Sequence, residues 1–244
     1  MEPVVEKIKV MKFGGTSLKS IITREYVYAH LMKYAGESKI ILVVSALGRY
    51  PNAFATDTLL SYANDRMSKE EQAWLASIGE QYATLRVCSE LLERRLKVRA
   101  VSYREAGIIT DEQFDYANVL RLDDQYIQSY LNHYDILVIG GFLGVSENGR
   151  LTTLGRGGSD YSAVLLADMM QLKEVEIYSD VDGVYDSDPN LNKHAKKYPQ
   201  LSYDAMLNLK SRVLHERCVD YAKKAKIVIH VLGTFSENEG TYVK

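Results

Sequence analysis

The segment 153–160 combines several groups that can bind an anion. It reads Thr-Leu-Gly-Arg-Gly-Gly-Ser-Asp, and the residues that follow it, 161–170, are mostly helix formers. We therefore expect a helix with Ser159 or Asp160 as its N-cap and with free N–H groups that face a glycine loop. Such a helix end attracts phosphates and carboxylates. A tight surface turn would explain the glycines equally well, but the guanidinium of Arg156 between them favours an anion site.

Short β-branched runs alternate with longer amphipathic segments along the chain. The runs predict parallel strands at 8–13, 40–45, 98–102, 136–140, 174–178 and 227–231. The segments between them predict helices at 17–34, 56–65, 69–94, 125–132, 161–170 and 203–225. This order indicates an α/β fold, a three-layer α/β/α sandwich with a mainly parallel central sheet and right-handed crossovers. We expect a single domain over residues 1–244.

Glycine-rich or acidic loops directly follow four of the predicted strands. They read Lys-Phe-Gly-Gly-Thr-Ser at 12–17, Ser-Ala-Leu-Gly at 45–48 and Gly-Gly-Phe-Leu-Gly at 140–144, and the fourth is an acidic stretch at 179–189. Sheets of this kind bind ligands at the carboxyl ends of their strands. We therefore expect these loops to form the ligand site.

The composition argues for small-molecule partners. The formal net charge is -2, with 46% apolar and 25% charged residues, so a large electrostatic surface for nucleic acid is excluded. Cys88 and Cys218 have neither metal-binding nor C-x-x-C spacing, and we interpret both as reduced core thiols. No apolar run approaches the ~20 residues that span a bilayer, and the N-terminus lacks the apolar run of a signal peptide. We expect a cytoplasmic protein without a membrane partner.

Taken together, the motifs at 12–17, 43–48, 153–160 and 179–185 resemble those of the aspartate kinases in the amino-acid kinase superfamily. The resemblance covers almost the whole chain. Acetylglutamate, glutamate and uridylate kinases share the glycine turns but not the full set of motifs. The resemblance implies that ATP, with Mg²⁺, phosphorylates the β-carboxylate of L-aspartate, which begins lysine, threonine and methionine synthesis. A carboxylate with a reference pKa of about 3.9 is ionised at neutral pH, so this reaction needs no general base.

The resemblance also implies a role for individual residues. Lys12 would hold the transferring phosphoryl group, and Asp160 would orient Lys12. Aspartate would be bound by Ser45, Glu80, Phe142, Arg156 and Ser159, and the nucleotide by Gly14, Gly15, Ser179, Asp180, Tyr185 and Arg212. The amino-acid site would lie in the N-terminal part and the nucleotide site in residues 170–244. Ordinary structural roles remain open for these residues: a strand-end lysine, a helix cap for Asp160, and a solvated helical glutamate for Glu80.

Two residues depart from the family pattern on the nucleotide side. Asn190 stands where an arginine is common, and Arg212 stands where a lysine is expected. Arginine keeps the charge of lysine but changes its shape and reach. These departures favour one alternative, a non-catalytic amino-acid-binding partner subunit. A kinase for a related amino acid and a generic nucleotide-binding domain also remain open. We further expect no regulatory ACT domain within the 244 residues, and a homodimer that uses the amphipathic surface of the 18 tyrosines.

Overall fold

The chain folds as alternating strands and helices, and the structure, a computed structural model, describes residues 7–189, 191–209 and 213–244. The strands are β1 (Lys7–Phe13), β2 (Ser38–Val44), β3 (Val98–Val101), β4 (Ile108–Thr110), β5 (Val119–Leu122), β6 (Ile136–Gly140), β7 (Leu143–Ser146), β8 (Leu151–Thr153), β9 (Glu174–Ser179), β10 (Val184–Tyr185), β11 (Lys197–Tyr198), β12 (Gln200–Leu201), β13 (Val228–Gly233) and β14 (Thr241–Val243). The helices are α1 (Gly15–Leu18), α2 (Ile21–Met32), α3 (Thr56–Leu60), α4 (Lys69–Glu93), α5 (Gln125–Leu131), α6 (Gly158–Met169), α7 (Tyr203–Asn208) and α8 (Glu216–Ala225).

The central sheet has eight strands in the order β12-β14-β13-β9-β1-β2-β6-β3. The six predicted strands all belong to it, lie side by side and run parallel, which confirms the mainly parallel sheet. Beyond them, β14 pairs antiparallel with β13, and β12 pairs parallel with β14. Central strands such as β2 and β6 read as continuous apolar runs because helices cover both of their faces.

Two apolar clusters, one on each face of the sheet, form the core. Side chains alternate between the faces, so Val10 joins Ile41 and Val43 in the cluster that packs against α6 and α8. The neighbouring Met11 and Phe13 belong to the second cluster, which packs against α2 and α4. This arrangement confirms the three-layer sandwich. Cys88 and Cys218 are both buried and unbridged, as predicted for core thiols.

Several short elements differ from the sequence prediction. A four-stranded sheet, β5-β4-β7-β8, and the β10–β11 pair were not predicted, because strands of two to four residues carry almost no periodic signal. The helix predicted at 17–34 is two helices, since Ser20 caps α2 by accepting a hydrogen bond from the N–H of Thr23. The helix predicted at 203–225 is α7 and α8 with a break between them. None of the described helices is both long and apolar enough to cross a bilayer.

Candidate active site

A cavity of about 450 Å³ opens at the carboxyl end of the central sheet. Its walls come from the residues that follow β1, β2 and β6, from the first turn of α6 and from one face of α4. Eight predicted site residues line it: Lys12, Gly15, Ser45, Glu80, Phe142, Arg156, Ser159 and Asp160. Three of the four strand-end loops therefore meet at this cavity. The fourth, at 179–189, is not part of its wall.

Lys12 and Asp160 form an ion pair inside the cavity. Lys12 is the penultimate residue of β1, and Asp160 lies in the first turn of α6. The Lys12 Nζ atom lies 2.5 Å from Asp160 Oδ1, and the two side chains are 11% and 12% exposed. A cation is thus held at the cavity wall by a carboxylate at a helix N-terminus, where the helix dipole also favours negative charge.

Arg156 lies in the arginine loop, residues 154–157, which leads into α6. The prediction that Ser159 or Asp160 caps this helix was wrong, because the N-cap is Gly157, with a φ of 73°. Gly155 has a φ of 77°, so glycines in the left-handed region flank Arg156 on both sides. The Arg156 side chain is exposed at the rim of the cavity and forms no ion pair with a described carboxylate.

Glu80 is the most unusual carboxyl group of the cavity. It lies in α4 and is 3% exposed, so it is not the solvated helical glutamate that the sequence left open. Its Oε1 atom accepts hydrogen bonds from the N–H of Ala46 and the hydroxyl of Thr56, both at 3.3 Å. Among the described residues, its Oε2 atom has no hydrogen-bond partner. Burial raises the pKa of Glu80 to about 8.

Phe142 has a backbone conformation that only a well-supported site tolerates. Its φ is 69°, in the left-handed region that costs a non-glycine residue roughly 1–3 kcal/mol. The Phe142 N–H donates to Ser162 Oγ at 2.9 Å, and its carbonyl accepts from the Leu154 N–H at 2.8 Å. This conformation therefore joins the end of β6 to α6 and to the arginine loop.

Gly14 and Gly15 follow β1 beside the Lys12 amine, as the motif suggested. A Cβ atom on Gly14 would lie 3.6 Å from Lys12 Nζ. The Gly14 N–H points to the Tyr178 carbonyl at 3.4 Å, towards β9 rather than into the cavity. A Cβ atom on Gly15 would lie 2.4 Å from the Gly48 carbonyl, so the close approach of these two loops requires glycine.

Three of the predicted nucleotide residues, Ser179, Asp180 and Tyr185, lie at or after the end of β9, outside the cavity wall. Ser179 Oγ donates to Asp180 Oδ1 at 3.1 Å, and Asp180 lies 3.6 Å from the Arg49 guanidinium. The Tyr185 hydroxyl donates to Asp182 Oδ1 at 2.6 Å. Burial, with a contribution from this bond, raises the pKa of Tyr185 to about 12. Arg212 and Asn190 lie outside the described residues.

The sequence missed several residues of the cavity wall. Three of them, Gln72, Ala73 and Ala76, share one face of α4 with Glu80, and their helical spacing was a usable signal. Thr56 also lines the cavity and holds Glu80, but nothing in its local sequence indicated that contact. Asp115 comes from the unpredicted region between β4 and β5.

Residues 7–233 match the sequence profile described as Amino acid kinase family. The chain belongs to this family. The match includes every predicted site residue, from Lys12 to Arg212. It also includes all six strands that were predicted from the sequence.

Within the amino acid kinase family, the chain is similar to aspartokinases. It is 36% identical to Aspartokinase 1 of Bacillus subtilis, in an alignment that covers 97% of this chain and 60% of the relative. It is 37% identical to the aspartokinase of Thermus thermophilus over 242 residues, which cover 96% of this chain and 58% of the relative. The chain thus spans about three fifths of the length of these curated relatives.

Two solved kinase structures share the architecture of this chain. E. coli aspartokinase III in complex with aspartate and ADP superposes with a TM-score of 0.80 at 25% identity, over 98% of this chain and 64% of that one. UMP kinase from Ureaplasma parvum superposes with a TM-score of 0.69 at 16% identity, over 98% of this chain and 99% of that one. The second comparison shows a common fold alone.

Proposed function

We propose that this amino acid kinase transfers the γ-phosphoryl group of ATP to the β-carboxylate of L-aspartate, giving 4-phospho-L-aspartate. The observation that carries the proposal is the pairing of two features in one cavity. Lys12, held by Asp160, supplies a cation at one wall, and Glu80 supplies a buried carboxyl group with one unpaired oxygen at another. Similarity to aspartokinases supports the choice of substrate. The product would enter lysine, threonine and methionine synthesis.

The amino-acid end of the substrate fits the charges of the cavity. The free Oε2 atom of Glu80 would accept a hydrogen bond from the α-ammonium group. Arg156, at the rim, would bind the α-carboxylate with its planar fork, an arrangement that lysine cannot reproduce. Ser45, Phe142 and Ser159 would complete the wall around the carbon chain.

The transfer step needs charge neutralisation rather than a base. An oxygen of the ionised β-carboxylate attacks the γ-phosphorus, the bond from that phosphorus to the bridging oxygen breaks, and ADP leaves with the electron pair. Lys12 would lie against the transferring group and offset its negative charge, while Asp160 keeps the amine in place. None of the five histidines is required.

The nucleotide is assigned to the neighbouring end of β9. Gly14 and Gly15 would approach its phosphates, and Ser179, Asp180 and Tyr185 would contact the rest, with Arg212 from outside the described residues. Mg²⁺ would arrive bound to the ATP phosphates, a mode that needs one or two protein carboxylates at most, such as Asp180.

Trapping of the acyl phosphate tests the proposal. Hydroxylamine converts β-aspartyl phosphate to a hydroxamate, so wild-type protein with Mg-ATP and aspartate is expected to form it. Lys12→Ala is expected to form none, whereas Lys7→Ala, an exposed lysine of the same strand, retains full yield. A wild type that binds aspartate in calorimetry but ignores Mg-ATP would instead indicate a non-catalytic binding subunit.

A homodimer is part of the same proposal. Four apolar side chains are exposed with helical spacing along α4: Trp74, Ile78, Tyr82 and Leu85. We expect Trp74→Glu to lower the mass measured by light scattering from dimer to monomer, because the charge would be buried without a partner. Leu120→Glu, at a similarly exposed position on β5, is expected to leave the mass unchanged. An unchanged mass for Trp74→Glu would remove α4 as the interface.

A further inference from the structure

The arginine loop makes few contacts of its own. Arg156 is exposed, and the loop is closed onto α6 by the hydrogen bond from the Gly158 N–H to the Gly155 carbonyl, at 2.9 Å. Both flanking glycines are in the left-handed region, which glycine adopts without the steric cost of a side chain. The direction of the Arg156 side chain therefore depends on what the loop packs against.

Arg217, in the first turn of α8, supplies the strongest of these contacts. Its Nη1 atom donates to the Leu154 carbonyl at 2.9 Å, and its Nη2 atom donates to the Ala117 carbonyl at 2.6 Å. The guanidinium carbon lies 4.6 Å from the ring centre of Tyr116 and 4.8 Å from that of Tyr161. One half-buried guanidinium thus joins the arginine loop, the segment between β4 and β5, and α6.

Both glycines that flank Arg156 are in contact with side chains at this junction. A Cβ atom on Gly155 would lie 2.2 Å from Cδ2 of Tyr116, the ring on which Arg217 stacks. A Cβ atom on Gly157 would lie 2.2 Å from Cβ of His215, the N-cap residue of α8. Tyr116 and the start of α8 therefore hold the loop on either side of Arg156.

A shift of the loop would leave the Nη1 group of Arg217 without its acceptor, the Leu154 carbonyl, in a half-buried position, which makes such a shift unfavourable. We infer that Arg217 is a positioning residue for Arg156, acting through the backbone of the arginine loop and through Tyr116. It touches no reacting atom in this assignment. The inference rests on the proposed function where it concerns aspartate, and on geometry alone where it concerns the loop.

Hydrogen exchange tests the geometric part without reference to activity. In Arg217→Ala, amide exchange over residues 154–158 is expected to accelerate by about tenfold or more, the factor that corresponds to the loss of a charged hydrogen bond. The matched control is Arg99→Ala, since Arg99 stacks on Tyr130 at 3.9 Å and donates to its hydroxyl but does not line the cavity. Unchanged exchange in 154–158, or equal acceleration in the control, would overturn the inference.

Kinetics test the consequence for the substrate. Arg217→Ala is expected to raise the KM for aspartate about tenfold or more, with the KM for ATP and kcat within about threefold of wild type. Arg217→Lys keeps the charge but loses the planar fork, and its KM for aspartate is expected to lie between those of the wild type and of Arg217→Ala. It also replaces the alanine variant if that variant does not fold. An unchanged KM for aspartate in an active, folded variant would contradict the inference, whereas an inactive wild type would reject the proposed function and leave the exchange result standing.

Discussion

The cavity at the carboxyl end of the central sheet and the loop after β9 differ in how their polar groups are paired. In the cavity, the Oε2 atom of Glu80 is buried without a described partner, and Arg156, at the rim, forms no ion pair with a described carboxylate. In the loop, Tyr185, Lys197 and Asn238 all donate to the carboxylate of Asp182. The cavity can accept a charged ligand without breaking internal bonds, while the loop must exchange bonds that it already has. We expect substitutions in the cavity to have large effects and those in the loop small ones.

Apart from Lys12→Ala, the largest effect is expected from Asp160→Asn. The neutral amide would no longer attract the Lys12 amine electrostatically. Displacement of a catalytic group typically lowers the reaction rate by about 10²-fold or more. Steady-state assays should show a kcat reduced about 10²–10³-fold with the KM for aspartate within about threefold. Asp168→Asn, in the same helix but bonded to the Tyr221 hydroxyl, serves as the control. A loss of less than about tenfold would contradict the role of the ion pair.

A pH series sharpens the contrast at Glu80. Burial raises the pKa of this carboxyl to about 8, so the empty cavity holds it mainly protonated at pH 7. An ammonium group requires the carboxylate, and binding must therefore release a proton. We expect the KM for aspartate to fall roughly tenfold per unit as pH rises from about 6 towards 8, and to level off above 8. A KM that does not vary with pH would contradict this.

The control for the pH series is Glu80→Gln, which removes this titration and leaves the other charged groups of the cavity in place. Its KM for aspartate should be high and nearly independent of pH. A rise in pH strengthens aspartate binding but weakens the fold. The folded state binds the Glu80 proton more tightly than the unfolded state, in which the pKa of this carboxyl group is near 4.5. The free energy of unfolding contributed by this group therefore falls as pH rises from about 4.5 to 8. Thermal unfolding of the glutamine variant should lack that component.

The smallest effect is expected from Tyr185→Phe. The substitution removes one of the three donors to Asp182 and leaves Lys197 and Asn238 in place. The ring can still face an adenine base. We expect the KM for ATP to change by less than about fivefold, since one neutral donor at a partly exposed position contributes about 1 kcal/mol or less. A tenfold increase would show that the Tyr185 hydroxyl itself contacts the nucleotide.

The central strands could be predicted from the sequence because helices bury them on both faces. A strand buried in this way has a run of β-branched residues in its local sequence. The loops at 12–17, 45–48 and 140–144 could be assigned to one site because parallel strands end at one edge of a sheet. Contacts between distant segments could not be predicted. The cap of α6 depends on the approach of His215 to Gly157, and the burial of Glu80 depends on Ala46 and Thr56.

The alternation of side chains along β1 decides on which face of the sheet the proposed chemistry takes place. Lys12 has the same parity as Val10, on the side of α6, while Met11 and Phe13 face α2 and α4. A shift of β1 by one residue against its neighbouring strands would keep the strand paired yet move the Lys12 amine to the opposite face, away from Asp160. The face of the sheet that carries the cation thus depends on whether an even or an odd number of residues separates Lys12 from the first paired residue of β1.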